Sequence, residues 1–256
     1  EALGWTMAQF NWTKRPPVPP SNDLLANART ISSVPYTDQV NTVDATTSSD
    51  DPVFTNPTGC GAVSGQRYKS VWYTFTPQSE GILTLDTIGS NYDTVLGLWQ
   101  YLSSPSGYFF ALMKCNDDGG PNNTSQLSYN IIPGIRYTIE VASYNNDGGS
   151  TVLHANLQQC FDLRLDYLVL PAGASINLDP QPNCTSPGSG ALYTAGTAVT
   201  LTPVAPPGKV FWHWAGDVTT ADNPLHLTMS RDWYFGASFR RIATPATRTV
   251  YRPSNG

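Results

Sequence analysis

Residues 70–88 read SVWYTFTPQSEGILTLDTI and contain two apolar runs, 70–77 and 81–88, joined by a short polar turn. Both runs are rich in β-branched and aromatic residues, which is typical of strands. Five similar runs follow, separated by turn clusters such as NDDGGPNN and NNDGG, at 93–102, 108–115, 125–132, 136–144 and 150–158. Seven or eight antiparallel strands at this spacing predict a β-sandwich of the jelly-roll kind over residues 24–159.

The remainder of the 256-residue chain has the same character. Only 13% of the residues are charged, while Gly and Pro contribute 21 each, and no stretch of ten residues keeps a helical period. Further strand patterns over residues 160–239 predict a second, smaller β domain. The sequence therefore predicts an all-β protein with an N-terminal arm and Pro-rich linker (1–23), a sandwich (24–159), a small β domain (160–239) and a basic tail (240–256).

Two stretches of sequence resemble known bacterial modules. The motifs SVWYTFTP, GILTLDTIGSNYDTVLGLW, CNDDGG and SQLSYNIIPGIRYTIEVASY, in this order, resemble the pre-peptidase C-terminal domain over about residues 24–158. The motifs YTAGTAVTLTP and FWHWAGD are similar to the divergent B-repeat of listerial internalins, over about residues 160–239. Both resemblances imply a prokaryotic, exported protein.

The four cysteines, Cys60, Cys115, Cys160 and Cys184, contain no CxxC pair. An even number without close ligand pairs favours disulfides over zinc, with buried free thiols as the alternative. The internalin resemblance implies the pairing Cys160–Cys184, which leaves Cys60–Cys115 for the sandwich. Disulfides indicate an oxidising compartment, so we expect a secreted protein or one on the cell surface.

Signals for catalysis are poor. The chain has no GxSxG or HExxH motif, and His213 lies between two tryptophans in a predicted strand, where a packed residue is the simpler reading. We therefore expect no enzymatic activity.

The net charge of −5 argues against general nucleic-acid binding, and no apolar run approaches the length of about 18 residues that spans a membrane.

Acidic turns predict a calcium site. CNDDGG places Asp117 and Asp118 in a turn, while Asp93 opens a strand. Calcium takes six to eight hard oxygen ligands, and some members of the resembled sandwich family bind it. The alternative is that Asn, Asp and Gly are simply good turn residues. If calcium binds, Asp93, Asp117 and Asp118 are the predicted ligands.

Exposed aromatic residues could stack on sugar rings. Trp99 and Tyr101 lie on one predicted hairpin and are candidates for contact with a surface glycan. Ordinary core packing explains the same alternation.

The N-terminal segment has an unusual apolar pattern. Leu3, Trp5 and Met7 share one strand parity, whereas Phe10 and Trp12 share the other, so a one-residue bulge would bring them to one face. The prolines that follow favour an extended polyproline spacer. Such a ribbon is not stable alone, because its backbone and its apolar face both need partners.

Charge is distributed unevenly along the chain. Residues 1–160 carry 13 acidic and seven basic side chains, whereas the tail carries four arginines and no acid: Arg240, Arg241, Arg248 and Arg252. Opposite charges at the two ends favour head-to-tail contacts between copies. The leading hypothesis is a structural subunit of an extracellular filament that polymerises through its N-terminal arm. The alternative is an accessory adhesin or glycan-binding module.

Overall fold

The computed structural model describes residues 15–54, 60, 65–104, 107–184 and 191–242. Within these residues nearly all regular structure is β, so the all-β prediction is confirmed. The arm residues Leu3, Trp5, Met7, Phe10 and Trp12 and the tail residues Arg248 and Arg252 lie outside the described part. No helix in that part is long and apolar enough to cross a membrane.

The described residues form two compact units. The first unit comprises the described residues within 15–76, 84–128 and 136–156, and the second comprises those within 77–83, 129–135 and 157–242. The sequence predicted a domain boundary between residues 159 and 160, whereas the units divide near residue 156. Two short segments from earlier in the chain, 77–83 and 129–135, also belong to the second unit. The segment 77–83 groups with the second unit because Ile82 packs on Cys160, and the Cys160 N–H donates to the Glu80 carbonyl.

The first unit is built from nine strands in the described residues, three of which also supply residues to the second unit. In chain order they are β1 (Arg29–Ile31), β2 (Tyr36–Asn41), β3 (Tyr68–Phe75), β4 (Gly81–Asp86), β5 (Thr94–Ser104), β6 (Gly107–Asn116), β7 (Gln126–Ile131), β8 (Tyr137–Ser143) and β9 (Ser150–Arg164). Two short 3-10 turns, Leu25–Asn27 and Pro121–Asn123, lie among them.

One sheet of the first unit has the strand order β1-β3-β8-β5-β6. The strands that the sequence predicts in this sheet pair antiparallel, and β1, a short strand that the sequence did not predict, pairs parallel with β3. A second group has β9 beside β4, β4 beside β7, and β2 antiparallel to the first half of β9. Burial alternates along β4 but is continuous along β8, as expected for a strand that is covered on both faces.

The five-stranded sheet therefore packs on both sides. One face carries a cluster that contains Trp72, Val95 and Trp99 with Phe54 and the Cys60–Cys115 disulfide. The opposite face carries buried Val71, Leu96, Leu98, Ile139 and Val141. These two layers hold β5 and β6 in the fixed register from which the acidic site is built.

The second unit is built around its own apolar core. Its further strands are β10 (Ser175–Asp179), β11 (Ala191–Thr194), β12 (Ala198–Val204), β13 (Lys209–Gly216), β14 (Leu225–Thr228) and β15 (Trp233–Arg241). The order β10-β12-β14 is antiparallel throughout, and the end of β9 pairs with β11 and β15. Trp214 is the largest core residue, and its indole N–H donates to the Asp222 carbonyl at 2.9 Å.

Candidate metal centre

The β5–β6 hairpin brings the three predicted carboxylates together. Asp93 immediately precedes β5, and Asp117 and Asp118 immediately follow β6. Because the strands are antiparallel and Leu96 pairs with Asn116, the start of β5 and the end of β6 meet at one end of the sheet. One carboxylate oxygen from each of the three aspartates lies within 4.8 Å of the others.

Hydrogen bonds within the loop fix the position of Asp117. The Asn116 side-chain oxygen accepts from the backbone N–H groups of Gly119 at 2.7 Å and Gln126 at 2.8 Å. The Ser125 hydroxyl donates to the Asp117 carbonyl at 2.8 Å. The loop is thereby closed at its base before any ligand binds.

A buried hydroxyl network adjoins the backbone of the site. Thr87, Thr94 and Ser125 have no exposed surface, and the Thr87 and Thr94 hydroxyls are 2.6 Å apart. The Ser125 backbone N–H donates to the Thr87 hydroxyl at 2.8 Å, and the Ser125 hydroxyl also donates to the Thr94 carbonyl at 2.6 Å. Since Thr94 follows Asp93 and Ser125 holds Asp117, this network ties the two sides of the site together.

A third loop, NNDGG, approaches Asp93. The Tyr144 N–H donates to the Asp93 carbonyl at 3.0 Å, and the Asn145 amide donates to Oδ2 of Asp93 at 3.2 Å. Asn146 has a φ of 65°, the left-handed region that asparagine tolerates. The sequence predicted this loop as a turn, and Asn145 was not among the predicted ligands.

The site concentrates negative charge that has little compensation. Burial, followed by the charges of Asp118 and Asp93, raises the pKa of Asp117 to about 6, although Arg67 opposes the shift. Burial and then the charge of Asp118 also raise the pKa of Asp93. Oδ1 of Asp93 and Oδ1 of Asp117 are both buried and accept no hydrogen bond within the described residues. The close approach of three carboxylates, with two buried oxygens that have no partner among the described residues, fits a place for a cation.

The donor set fits calcium. Asp93, Asp117 and Asp118 offer six carboxylate oxygens, two of which are buried without a partner, and calcium takes six to eight oxygens in flexible geometry. These three residues would hold the ion. A bound calcium would supply the positive charge that the cluster lacks and would join the ends of β5 and β6.

The structure separates the two candidates for glycan contact. Tyr101 is 56% exposed and lies against Phe110, with ring centroids 5.1 Å apart. Trp99 is only 2% exposed and packs edge-to-face on Phe54, so its ring is not available to a sugar. This corrects the prediction for Trp99: the disulfide-linked cluster covers it, whereas Tyr101 lies beyond the end of β8, whose pairing with β5 stops at Gln100.

The other predicted residues are placed as follows. The disulfides are Cys60–Cys115 and Cys160–Cys184, the two pairings that the resemblance implies, and they fit an oxidising compartment. Arg240 and Arg241 are exposed at the end of β15, opposite Val210 and Lys209 of β13.

Glu140 is the most deeply buried acid among the described residues, and the sequence did not predict its burial. It lies in the middle of β8 with no exposed surface, next to Ile139 and Val141. A single charged residue inside the apolar run YTIEVAS was the available signal, because alternation alone assigns such a residue to the solvent face.

Comparisons with known proteins add little to this description. No family model matches the chain, and no curated protein matches it, so neither resemblance is established as family membership. One solved structure, the pre-peptidase C-terminal domain of collagenase from Bacillus anthracis, is 16% identical, with a TM-score of 0.31. That match covers 50% of this chain and 94% of the collagenase domain.

Proposed function

We propose that the chain is a non-enzymatic structural subunit of an extracellular assembly, in which residues 1–14 of one copy add a β-strand to a sheet of the next copy. Strand addition supplies the backbone partners that an apolar ribbon needs, and its side chains provide the affinity. Donor and acceptor are then different surfaces. A contact of this kind, repeated without closure, produces a filament.

The observation that carries this proposal is the anchoring of the chain immediately after the apolar segment. The Arg15 guanidinium pairs with Asp44 at 2.8 Å, and the Val18 N–H donates to the same carboxylate at 3.0 Å. Asn22 then exchanges backbone and side-chain hydrogen bonds with Trp72 of β3. Residues 1–14 are thus attached to the first unit at a defined point, with a proline-rich spacer between Arg15 and Asn22.

Two further features suit a structural role outside the cell. Each unit contains one disulfide, and the acidic site of the first unit fits a calcium ion. Cross-links and bound calcium both stabilise domains under oxidising, calcium-rich conditions. The excess of acids in residues 1–160 and the four arginines of the tail would favour one relative orientation of neighbouring copies.

The full chain, its 1–14 deletion and two double variants test the proposal. Negative-stain microscopy and sedimentation should find filaments for the full chain and folded monomers for the deletion. The variant Trp5→Ser with Trp12→Ser should behave like the deletion, because strand addition depends on burial of these rings. The matched control, Gln9→Ser with Asn11→Ser, changes two polar residues of the same segment and should still form filaments.

Two outcomes would contradict the proposed function. One is a full-length chain that remains monomeric at all concentrations, with or without calcium. The other is polymerisation of the 1–14 deletion to the same extent as the full chain. Circular dichroism of each variant establishes that the two units are folded in either case.

A further inference from the structure

β6 is the last strand of its sheet within the described residues, and its outer edge is apolar. Phe109 is 48% exposed, and residues 110–113 (Phe-Ala-Leu-Met) are all partly exposed. No charged residue or proline interrupts these five positions, and the first charge is Lys114. Edge strands usually carry charged residues or prolines, because an open apolar edge pairs with other chains.

The β5–β6 hairpin also extends past the rest of the sheet. β5 pairs with β6 as far as Ser104 opposite Gly107, but it pairs with β8 only as far as Gln100 opposite Tyr137. Tyr101 and Phe110, which are partners across the hairpin, therefore lie beyond the end of β8. The projecting part offers apolar surface on both faces: Phe110 faces the Trp99 cluster, and Phe109 lies on the opposite face.

Asn22, in the described chain that follows the N-terminal segment, lies at the other edge of this sheet. The chain at Asn22 runs beside Trp72 of β3, next to the edge strand β1, and the strand order is β1-β3-β8-β5-β6. At about 4.8 Å between strands, the β1 edge and the β6 edge are about 19 Å apart. The described chain that follows the donor segment and the open apolar edge thus lie at opposite sides of one sheet, an arrangement that suits continuation of a sheet from copy to copy.

We infer that β6, over Phe109–Met113, is the acceptor for residues 1–14 of a second copy. This rests on the proposed function and names its partner surface. In a regular strand without the bulge, the donor's apolar residues would occupy both faces, and the acceptor edge is apolar on both faces, so strand addition would bury both sets. Fourteen extended residues span at most about 50 Å, which exceeds the length of the five-residue edge Phe109–Met113.

Charged substitutions at the edge test the acceptor. Phe109→Lys with Ala111→Lys changes one face of β6 and should abolish filaments while leaving the monomer folded. The matched control, Val43→Lys with Val53→Lys, places the same charges at apolar positions of the first unit that are 52% and 50% exposed. It should polymerise like the unmodified chain.

Cysteine trapping identifies the source of the donor. One chain carries Ala111→Cys, and a differently tagged chain carries a single cysteine at one of residues 6–9. Mild oxidation of the mixture should give a dimer that contains both tags. A chain with both substitutions should give a ladder of linked copies, whereas a cross-linked monomer without a ladder would overturn the inference, because the segment would then lie on its own β6.

The two hypotheses fail differently. If the edge variant polymerises normally while the 1–14 deletion remains monomeric, the acceptor lies elsewhere and the proposed function stands. If the full chain itself does not polymerise, the proposed function fails, and the acceptor assignment fails with it.

Discussion

Trp99 donates its indole N–H to Oε2 of Glu140 at 3.0 Å, and both side chains are buried. The pair lies at the centre of the five-stranded sheet, where Glu140 is paired with Gly97 and Trp72. Burial, followed by the charge of Asp51, raises the pKa of Glu140 well above its ordinary value, while Trp99 and Arg67 oppose the shift. Oε1 of Glu140 accepts no hydrogen bond in the described residues, so the ionised form is poorly compensated.

Glu140 should therefore make the first unit less stable as the pH rises. A raised pKa means that the folded state binds more protons than the unfolded state, so stability is fully present below about pH 4.3 and is lost toward the higher folded pKa. Glu140→Gln should flatten this slope and raise the free energy of unfolding at pH 8 by on the order of 1–3 kcal/mol. Denaturant unfolding of both chains between pH 4 and pH 9 measures the free energy of unfolding. If its pH dependence were the same in Glu140→Gln, Glu140 would not be the group responsible.

The acidic site should also make the first unit less stable as the pH rises, and bound calcium should reverse this pH dependence. Without calcium, the stability that protonated Asp117 contributes is lost as the pH rises through its folded pKa of about 6. Solvent screens part of this effect, so we expect a loss of about 1 kcal/mol or less. Millimolar calcium should stabilise the first unit above pH 6 and have little effect below pH 5, because protons compete for the ligands. Thermal melting across this pH range, in a chelator and in calcium, measures both the loss of stability without the ion and the gain with it.

Asp117→Asn separates ion binding from general electrostatics. The variant should melt at a higher temperature than the unmodified chain in chelator at pH 7, since a buried and repelled charge is removed. It should also lose most of the calcium-induced rise. Asp50→Asn, at an exposed loop position outside the cluster, should preserve the calcium response. An equal calcium response in both variants would show that the ion binds elsewhere.

Ser125 should tune calcium affinity without contacting the ion. Its hydroxyl donates to the carbonyls of both Thr94 and Asp117, so it links the two halves of the site. Ser125→Ala removes these bonds at a fully buried position and should cost about 1–3 kcal/mol of stability. Calorimetric titration with calcium should also find weaker binding, with an unchanged number of sites. Destabilisation with unaltered affinity would limit Ser125 to a structural role.

The acidic site was predictable because its residues follow from strand pairing. An antiparallel hairpin over 93–115 necessarily brings Asp93 close to Asp117, whatever the rest of the fold. The contribution of Asn145 was not predictable, since it depends on where the turn after β8 lies relative to β5. Period-two alternation also could not separate Trp99 from Tyr101, because both point to the same face. Only the end of β8 at Tyr137 distinguishes the buried ring from the exposed one.

The strands that the sequence missed have weak apolar patterns. β2 reads YTDQVN, and only Val40 is buried, so its pairing with β9 is set by tertiary contacts. The sequence also ended a strand at 158, whereas β9 continues to Arg164. The strand persists because Cys160 to Leu163 pair with β11. The boundary predicted at 159 therefore lies a few residues after the division between the units.

The second disulfide should stabilise its unit through the unfolded state. Cys160 and Cys184 are 24 residues apart, and loop-closure entropy for a ring of this size amounts to about 3.5 kcal/mol. Cys160→Ala with Cys184→Ala should therefore lower the stability of the second unit by about this amount, less any gain from apolar packing of the two alanines. Ile82 and Leu192, which pack on the disulfide, should show faster amide hydrogen exchange. The matched variant, Cys60→Ala with Cys115→Ala, removes the other cross-link and should accelerate exchange around Phe54 and Trp99 instead. If both variants accelerated exchange at the same sites, the assignment of one disulfide to each core would be wrong.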